Sequence, residues 1–305
     1  MPASLIDGIA LAERTRADIK ARVADLARRG RSVHLTAILI GSTAAGELFA
    51  LRQQEACKAV GIDYELLTLP ADFTFQQVTN TIDKLNRDPS VTGIMLHLPV
   101  PAHLDATELQ YRIDPRKDVE GVNPANIGYV VYGHTLIAPF TALAVVELIQ
   151  STGCGIRGAE AVVVGASQIV GRPIALMLTD QMATVTLCHI ATRDLKEHTR
   201  RAEILVVAVG KANLITADHV REGAVVIDVG INRVPALVAS TASAAPAEPG
   251  KTRLVGDVAF DEAVLVAGFI TPVPGGVGPM TIACLLRNTV IAACHARGIA
   301  LPVKL

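Results

Sequence analysis

What most constrains this chain is a series of short apolar runs separated by helix-patterned segments. In the second half, residues 161–164, 184–187, 204–209 and 224–229 are strand-sized and rich in Val, Ile, Leu and Ala. Strands that read this way belong to a parallel sheet covered on both faces. In the first half, Ala10, Leu11, Ile19, Val23 and Leu26 recur at helical spacing within residues 8–29. Residues 35–40, 64–69 and 91–98 read as strands, 44–60 and about 74–87 as helices, and 105–113 as a short helix. Alternation along the whole chain predicts an α/β protein with parallel sheets. The polar stretch 114–128 is expected to be a functional loop. A helix over about 141–152 leads into the second domain, and residues 234–251, rich in Ala, Ser and Pro, are expected to form a mobile surface loop. The last helix is expected from about Pro279 to 297.

Composition narrows the partners. The 305 residues suffice for two domains, and half are apolar, enough for two cores. A net charge of −1, 3% aromatic residues and no Trp argue against a nucleic-acid surface. The apolar runs are strand-sized, so no membrane span is expected. Met1-Pro2-Ala3-Ser4 lacks a basic stretch followed by an apolar core, so no secretory signal is expected. Cys57, Cys154, Cys188, Cys284 and Cys294 form no CxxC pair and no zinc spacing. Reduced thiols in a cytoplasmic protein without a metal are the expectation.

One segment carries nucleotide chemistry. Val162-Val163-Val164-Gly165-Ala166-Ser167-Gln168-Ile169-Val170-Gly171-Arg172-Pro173 reads as strand, glycine turn and helix start. Gly165 permits the tight turn, Ser167 is small and can donate to phosphate, and a helix N-terminus offers N–H groups to a pyrophosphate. The spacing departs from G-x-G-x-x-G, since Ser167 replaces the second glycine and the third falls at Gly171. Later strands end in Val209-Gly210 and in Asp228-Val229-Gly230-Ile231, where a ligand sits in an open α/β sheet. The second strand ends Leu187-Cys188-His189-Ile190, without the acid that usually binds the ribose of NAD. This favours NADP, with Arg172, His189 or Arg193 near the 2′-phosphate, and leaves NAD open. Ala166, Ile169, Ile190, Ile231 and Thr271 complete the expected cofactor contacts.

Several strings resemble the methylenetetrahydrofolate dehydrogenase/cyclohydrolase family. They are the cofactor segment 165–173, the C-terminal Thr271-Pro-Val-Pro-Gly-Gly-Val-Gly-Pro-Met-Thr281, and Lys117-Asp-Val-Glu-Gly121 with Asn123-Pro124 and Asn126-Ile127-Gly128. Asp228-Val-Gly-Ile-Asn-Arg233 and the opening Ile6-Asp7-Gly8 match as well. The resemblance covers the chain in order. It implies a folate-binding catalytic domain, residues 1–139 completed by 279–305, and a Rossmann-type NAD(P) domain over 140–278. It also implies a homodimer through the cofactor domain, and a tetrahydrofolate-type substrate in the cleft between the domains. Asp118 would bind the pterin. The turn Pro274, Gly275, Gly276, Val277 and Gly278 would contact the folate, as would Leu96 and Leu98.

The chain departs from the family pattern in its substrate half. The family carries Tyr-x-x-x-Lys on the second helix; here the positions hold Phe49 and Gln53. The family Val-Gln-Leu-Pro string becomes Leu96-His97-Leu98-Pro99, and Cys-Thr-Pro becomes Phe140-Thr141-Ala142. All four changes are expected to converge on one pocket, with Phe49, Gln53, His97 and Asp118 as the catalytic set. Dehydrogenation chiefly needs positioning of donor and acceptor. Hydrolysis of the methenyl product needs proton transfer, which Gln53 cannot supply. The expectation is therefore a dehydrogenase with lost or weak cyclohydrolase activity. A divergent oxidoreductase acting on another one-carbon or pterin-type substrate remains an alternative, as does a non-catalytic folate- or nucleotide-binding paralogue.

Overall fold

The structure is a computed structural model describing residues 2–41, 44–235 and 252–299. In chain order, β1 (Ser4–Leu5) and α1 (Gly8–Arg28) are followed by β2 (His34–Ile40), α2 (Ala44–Val60), β3 (Asp63–Leu69) and α3 (Phe75–Arg87). Next come β4 (Gly93–Leu96), α4 (Ala106–Arg112), α5 (Pro124–Val131) and α6 (Phe140–Ser151). The second half contains β5 (Glu160–Val164), α7 (Gly171–Asp180), β6 (Thr184–Cys188), α8 (Leu195–Thr199), β7 (Ile204–Val207) and β8 (Val225–Asp228). It ends with β9 (Asn232–Pro235), β10 (Thr252–Val255), α9 (Phe260–Ala263), β11 (Phe269–Ile270) and α10 (Val277–His295).

The chain divides into two compact units, Met1–Ile9 with Ala144–Met280, and Ala10–Leu143 with Thr281–Leu305. The first holds a six-stranded sheet of order β1-β11-β8-β7-β5-β6, every neighbour parallel, plus the antiparallel hairpin β9-β10. The second holds the parallel sheet β3-β2-β4. This is the expected α/β architecture with a Rossmann-like sheet. The boundaries differ from expectation at the N-terminus. Residues 1–9 were expected in the catalytic domain, but β1 pairs with β11 as the edge of the six-stranded sheet. The opening Gly8 also packs on the C-terminal turn, where a Cβ would lie 1.8 Å from the carbonyl oxygen of Gly276.

The longer elements follow the apolar periodicity. Strands β5, β7 and β8 are buried along almost their whole length, as their continuous Val/Ile runs demand. The expected loop 114–128 contains the start of α5, because Asn123 caps it through Ala125 N–H at 2.9 Å and Pro124 fits the first turn. Of the expected surface loop 234–251, Val234 and Pro235 end β9, and 236–251 lie outside the described residues.

Helix α10 corrects one expectation. Among the described residues it is the one helix long and apolar enough to cross a membrane by length and composition. Yet 72% of its apolar window is buried inside the structure. Leu285, Leu286, Val290, Ala292, Ala293 and Cys294 join Ile19, Leu26, Leu35 and Met95 in the core of the three-stranded unit. Packing therefore explains its composition. The fully buried Asn288 donates from Nδ2 to the carbonyls of Val119 and Ala138, both at 2.9 Å, so one amide fixes two loop backbones. Asn288→Ala leaves those carbonyls unpaired beside a void, and a loss of about 3 kcal/mol is expected in urea unfolding at pH 7.

Candidate functional site

In the three-stranded unit, helix α2 and the end of β4 bring together two of the four substituted positions. Phe49 is 41% exposed and meets the His97 ring edge-on, with centroids 5.7 Å apart and planes at 89°. His97 is 3% exposed, and its backbone N–H extends the β4–β2 ladder to Ile38 O at 2.8 Å. Its Nε2 is buried with no hydrogen-bond partner among the described residues. Leaving such an atom unpaired is costly. Burial also lowers the His97 pKa below its usual value of 6.5, so the ring is neutral at pH 7.

The other two substituted side chains turn to other partners. Gln53 is 1% exposed; its Nε2 donates to Met95 Sδ at 2.9 Å, and its Oε1 accepts from Tyr64 OH at 3.5 Å. Gln53 stands one turn after Phe49 on the same face of α2, and its amide is tied inward to β4 and β3. Phe140 packs on the core containing Leu286 and Val290. Of the four changed positions, Phe49 and His97 meet ring to ring, Gln53 lies one turn from Phe49, and Phe140 is a core residue. Leu96 is fully buried among Ile38, Ile94 and Leu109, so its side chain is core rather than a substrate contact, whereas Leu98 is 44% exposed.

Asp118 also departs from its expected role. It is 1% exposed; Oδ1 accepts from Gly121 N–H at 3.1 Å, and Oδ2 from Asn123 N–H at 2.8 Å and Asn126 Nδ2 at 3.0 Å. Those donors satisfy the carboxylate from within, and it organises the turn into α5. Burial raises its pKa while these bonds oppose the shift. Neighbouring Lys117 is consumed as well, its Nζ donating to the Leu85 and Asp88 carbonyls at 2.8 and 2.6 Å at the end of α3.

The acid that sequence reasoning missed is Glu120. Its Oε2 accepts from Leu96 N–H at 3.3 Å, one residue before His97. Burial, with the Asp118 charge adding to it, pushes the Glu120 carboxyl up to about 8, so it is largely protonated at pH 7. The signal is the pair of acids two residues apart in Lys117-Asp-Val-Glu-Gly121.

In the six-stranded unit the glycine turn lies at the topological switch point. The chain leaves β5 for β6 on one side and returns to β7 on the other, so the crevice opens above β5 and β7. Gly165 has φ +112°, and a Cβ there would lie 2.1 Å from Ala208 O; on Gly171 it would lie 1.7 Å from Gly165 O. Only glycine fits either position. Ser167 occupies the first helical N–H groups, accepting from Gly171 N–H through Oγ at 3.3 Å and from Arg172 N–H through its carbonyl at 3.1 Å. In the turn itself the N–H groups of Ala166, Ser167, Gln168, Ile169 and Val170 have no partner among the described residues. A run of N–H groups in such a turn, rather than at the helix start, suits an anion.

Each of four strand exits presents one exposed aliphatic: Ile169 after β5, Ile190 after β6, Val209 after β7 and Ile231 after β8. Apolar walls around a cradle of N–H donors suit flat rings joined by a pyrophosphate. Ala166 and Gly210 lie on the same turns. Arg172, His189 and Arg193 are exposed, and β6 ends in buried Cys188 with no acid. Thr271 is fully buried; its Oγ1 accepts from Asp228 N–H at 2.8 Å, so it supports the β8 exit from below and its side chain is no cofactor contact. In the turn 274–278, Gly275 has φ +110°, and a Cβ on Gly276 would lie 2.6 Å from Thr271 Cβ.

These features define an α/β enzyme with an NAD(P)-binding unit. Residues 6–120 match the tetrahydrofolate dehydrogenase/cyclohydrolase catalytic domain, and 139–297 the NAD(P)-binding domain of the same family. The chain belongs to the tetrahydrofolate dehydrogenase/cyclohydrolase family. It is 45% identical over 293 residues to the bifunctional protein FolD of Moorella thermoacetica, covering 96% of this chain and 99% of that one. The solved bifunctional enzyme FolD of Campylobacter jejuni matches with a TM-score of 0.89 at 40% identity, covering 96% and 99%. The Trypanosoma brucei enzyme, solved with NADP cofactor and an inhibitor, matches with a TM-score of 0.89 at 35% identity, covering 97% and 99%.

Glu120 yields a pH prediction. A carboxyl whose pKa rises on folding binds its proton more tightly in the folded state. Its contribution to stability is therefore present below the ordinary 4.5 and lost as pH rises through about 8. Glu120→Gln should flatten the decline in chemical-denaturation stability between those pH values, and an unchanged slope would place Glu120 outside the buried region.

Proposed function

We propose that this chain is an NADP-dependent 5,10-methylenetetrahydrofolate dehydrogenase whose cyclohydrolase step is lost or weak. The observation that carries the reading is the contrast between an intact glycine turn and position 53, where an inward-tied amide replaces the family's lysine. NADP, when bound, supplies the hydride acceptor for the folate methylene carbon. Gly165 and Gly171 admit it closely, the N–H groups of Ser167, Gln168 and Ile169 face its pyrophosphate, and Arg172, His189 and Arg193 suit the 2′-phosphate. On the folate side, Phe49 offers a ring for packing, and the unpartnered Nε2 of His97 beneath it is a neutral hydrogen-bonding group. The folate nitrogen lone pair drives loss of the hydride, leaving a methenyl cation. A neutral Gln53 and a neutral His97 add no repulsion to that charge.

Hydrolysis of the cation requires a group that takes a proton from water. Gln53 has none to exchange, Lys117 is pinned by two carbonyls, and Glu120 is largely protonated at pH 7. The reading also carries a cytoplasmic homodimer acting on a small folate, in keeping with a net charge of −1. With methylenetetrahydrofolate and NADP, reduced cofactor should form and methenyltetrahydrofolate should accumulate. Phe49→Tyr with Gln53→Lys should raise hydrolysis by about 100-fold. A dehydrogenase-competent double variant without that gain would contradict the assignment of the loss to this pair.

The unpartnered Nε2 of His97 favours one second reading, in which His97 serves as a base and hydrolysis persists. His97→Ala separates the two. Under the main reading it alters folate turnover and leaves NADP affinity unchanged; under the second it removes a measurable hydrolysis with a pH profile falling below the usual histidine range.

A further inference from the structure

We propose that Asp257 is the positioning residue of the cofactor site, its buried carboxylate holding the β7 and β8 exit loops in the geometry that accepts the dinucleotide. The proposal rests on the dinucleotide reading above. Asp257 belongs to no string singled out in the sequence, yet it is fully buried. A buried carboxylate is unfavourable unless its lone pairs are filled. Here Oδ2 accepts from Val209 N–H at 2.7 Å and Gly210 N–H at 2.9 Å, and Oδ1 accepts from Asn232 Nδ2 at 2.9 Å. One carboxylate therefore ties the loop of exposed Val209 to the loop of exposed Ile231.

The surroundings are built around this group. Asp257 N–H donates to Asp228 Oδ1 at 2.9 Å, and Val258 N–H to Asp228 Oδ2 at 2.9 Å. Residues 256–259 run beside the β7 exit, with Asn213 N–H to Gly256 O at 3.2 Å, Ile215 N–H to Asp257 O at 3.1 Å and Ala259 N–H to Ile215 O at 2.7 Å. A Cβ on Gly230 would lie 2.2 Å from the Asp257 carboxyl, so the β8 exit passes directly over it. As placed, all three partners donate, and a carboxylate accepts from each of them. An asparagine could keep both backbone bonds through its one oxygen if Asn232 turned its amide to accept, whereas an alanine removes all three. Asp257 touches no ligand in this scheme; it acts through the loops.

The test is Asp257→Ala in the full chain, read by NADPH fluorescence titration, thermal melting and steady-state kinetics. The Kd for NADPH and the KM for NADP should rise together by about tenfold or more, with kcat at saturating cofactor changed by less than about threefold. A folded variant with wild-type NADPH affinity overturns the proposal. Failure of the wild-type chain to bind NADPH would instead overturn the dinucleotide reading. If Asp257→Ala does not fold, Asn232→Ala removes a single bond at a half-buried side chain. It should weaken NADPH by about threefold at unchanged melting temperature, and an unchanged affinity overturns the proposal.

Discussion

The six-stranded unit depends on a backbone-to-backbone contact that only glycine allows. Gly165 lies against the Ala208 carbonyl, and Gly171 against the carbonyl of Gly165. That contact brings the exit of β5 against the exit of β7 and starts α7 immediately above. The unpartnered N–H groups of residues 167–169 lie in the turn so formed. A side chain at Gly165 would push the β7 exit away, and with it the backbone groups that Asp257 holds; one at Gly171 would push α7 off the turn.

The three-stranded unit uses its polar residues differently. Asp118, Asn123, Asn126, Lys117 and Asn288 are largely occupied in fixing loop backbone. What that fixing leaves over is small: the buried, unpartnered Nε2 of His97, the exposed ring of Phe49 and the largely protonated carboxyl of Glu120. None is a ready proton acceptor with the reach and charge of a lysine amine. On the proposed reading, chemistry that needs orientation alone survives such a site, and chemistry that needs a mobile proton suffers.

The α/β architecture and the longer elements were legible in the sequence because their apolar periods are long and unbroken, as in α1, β2 and β5. The short strands β1, β9, β10 and β11 were not, because two to four residues carry no period. That omission misplaced residues 1–9, whose pairing with β11 is non-local. Phe49 and His97 were rightly grouped, as their ring contact shows. Gln53 shares the helix face of Phe49, as the i, i+4 spacing implies, while the inward ties of its amide and the core packing of Phe140 are tertiary and carry no sequence signal. Asp118 and Glu120 share one string, and only the hydrogen bonds distinguish the acid that is consumed from the one that is protonated. Asp257 was invisible because its partners are backbone groups nearly fifty residues away.

The separation of hydride transfer from hydrolysis is the central claim, and it can be measured on the second step alone. Methenyltetrahydrofolate is supplied with the protein, without any cofactor, and its absorbance is followed across neutral pH. Decay at the protein-free rate is the predicted result. Acceleration that saturates with substrate and scales with protein concentration would contradict it.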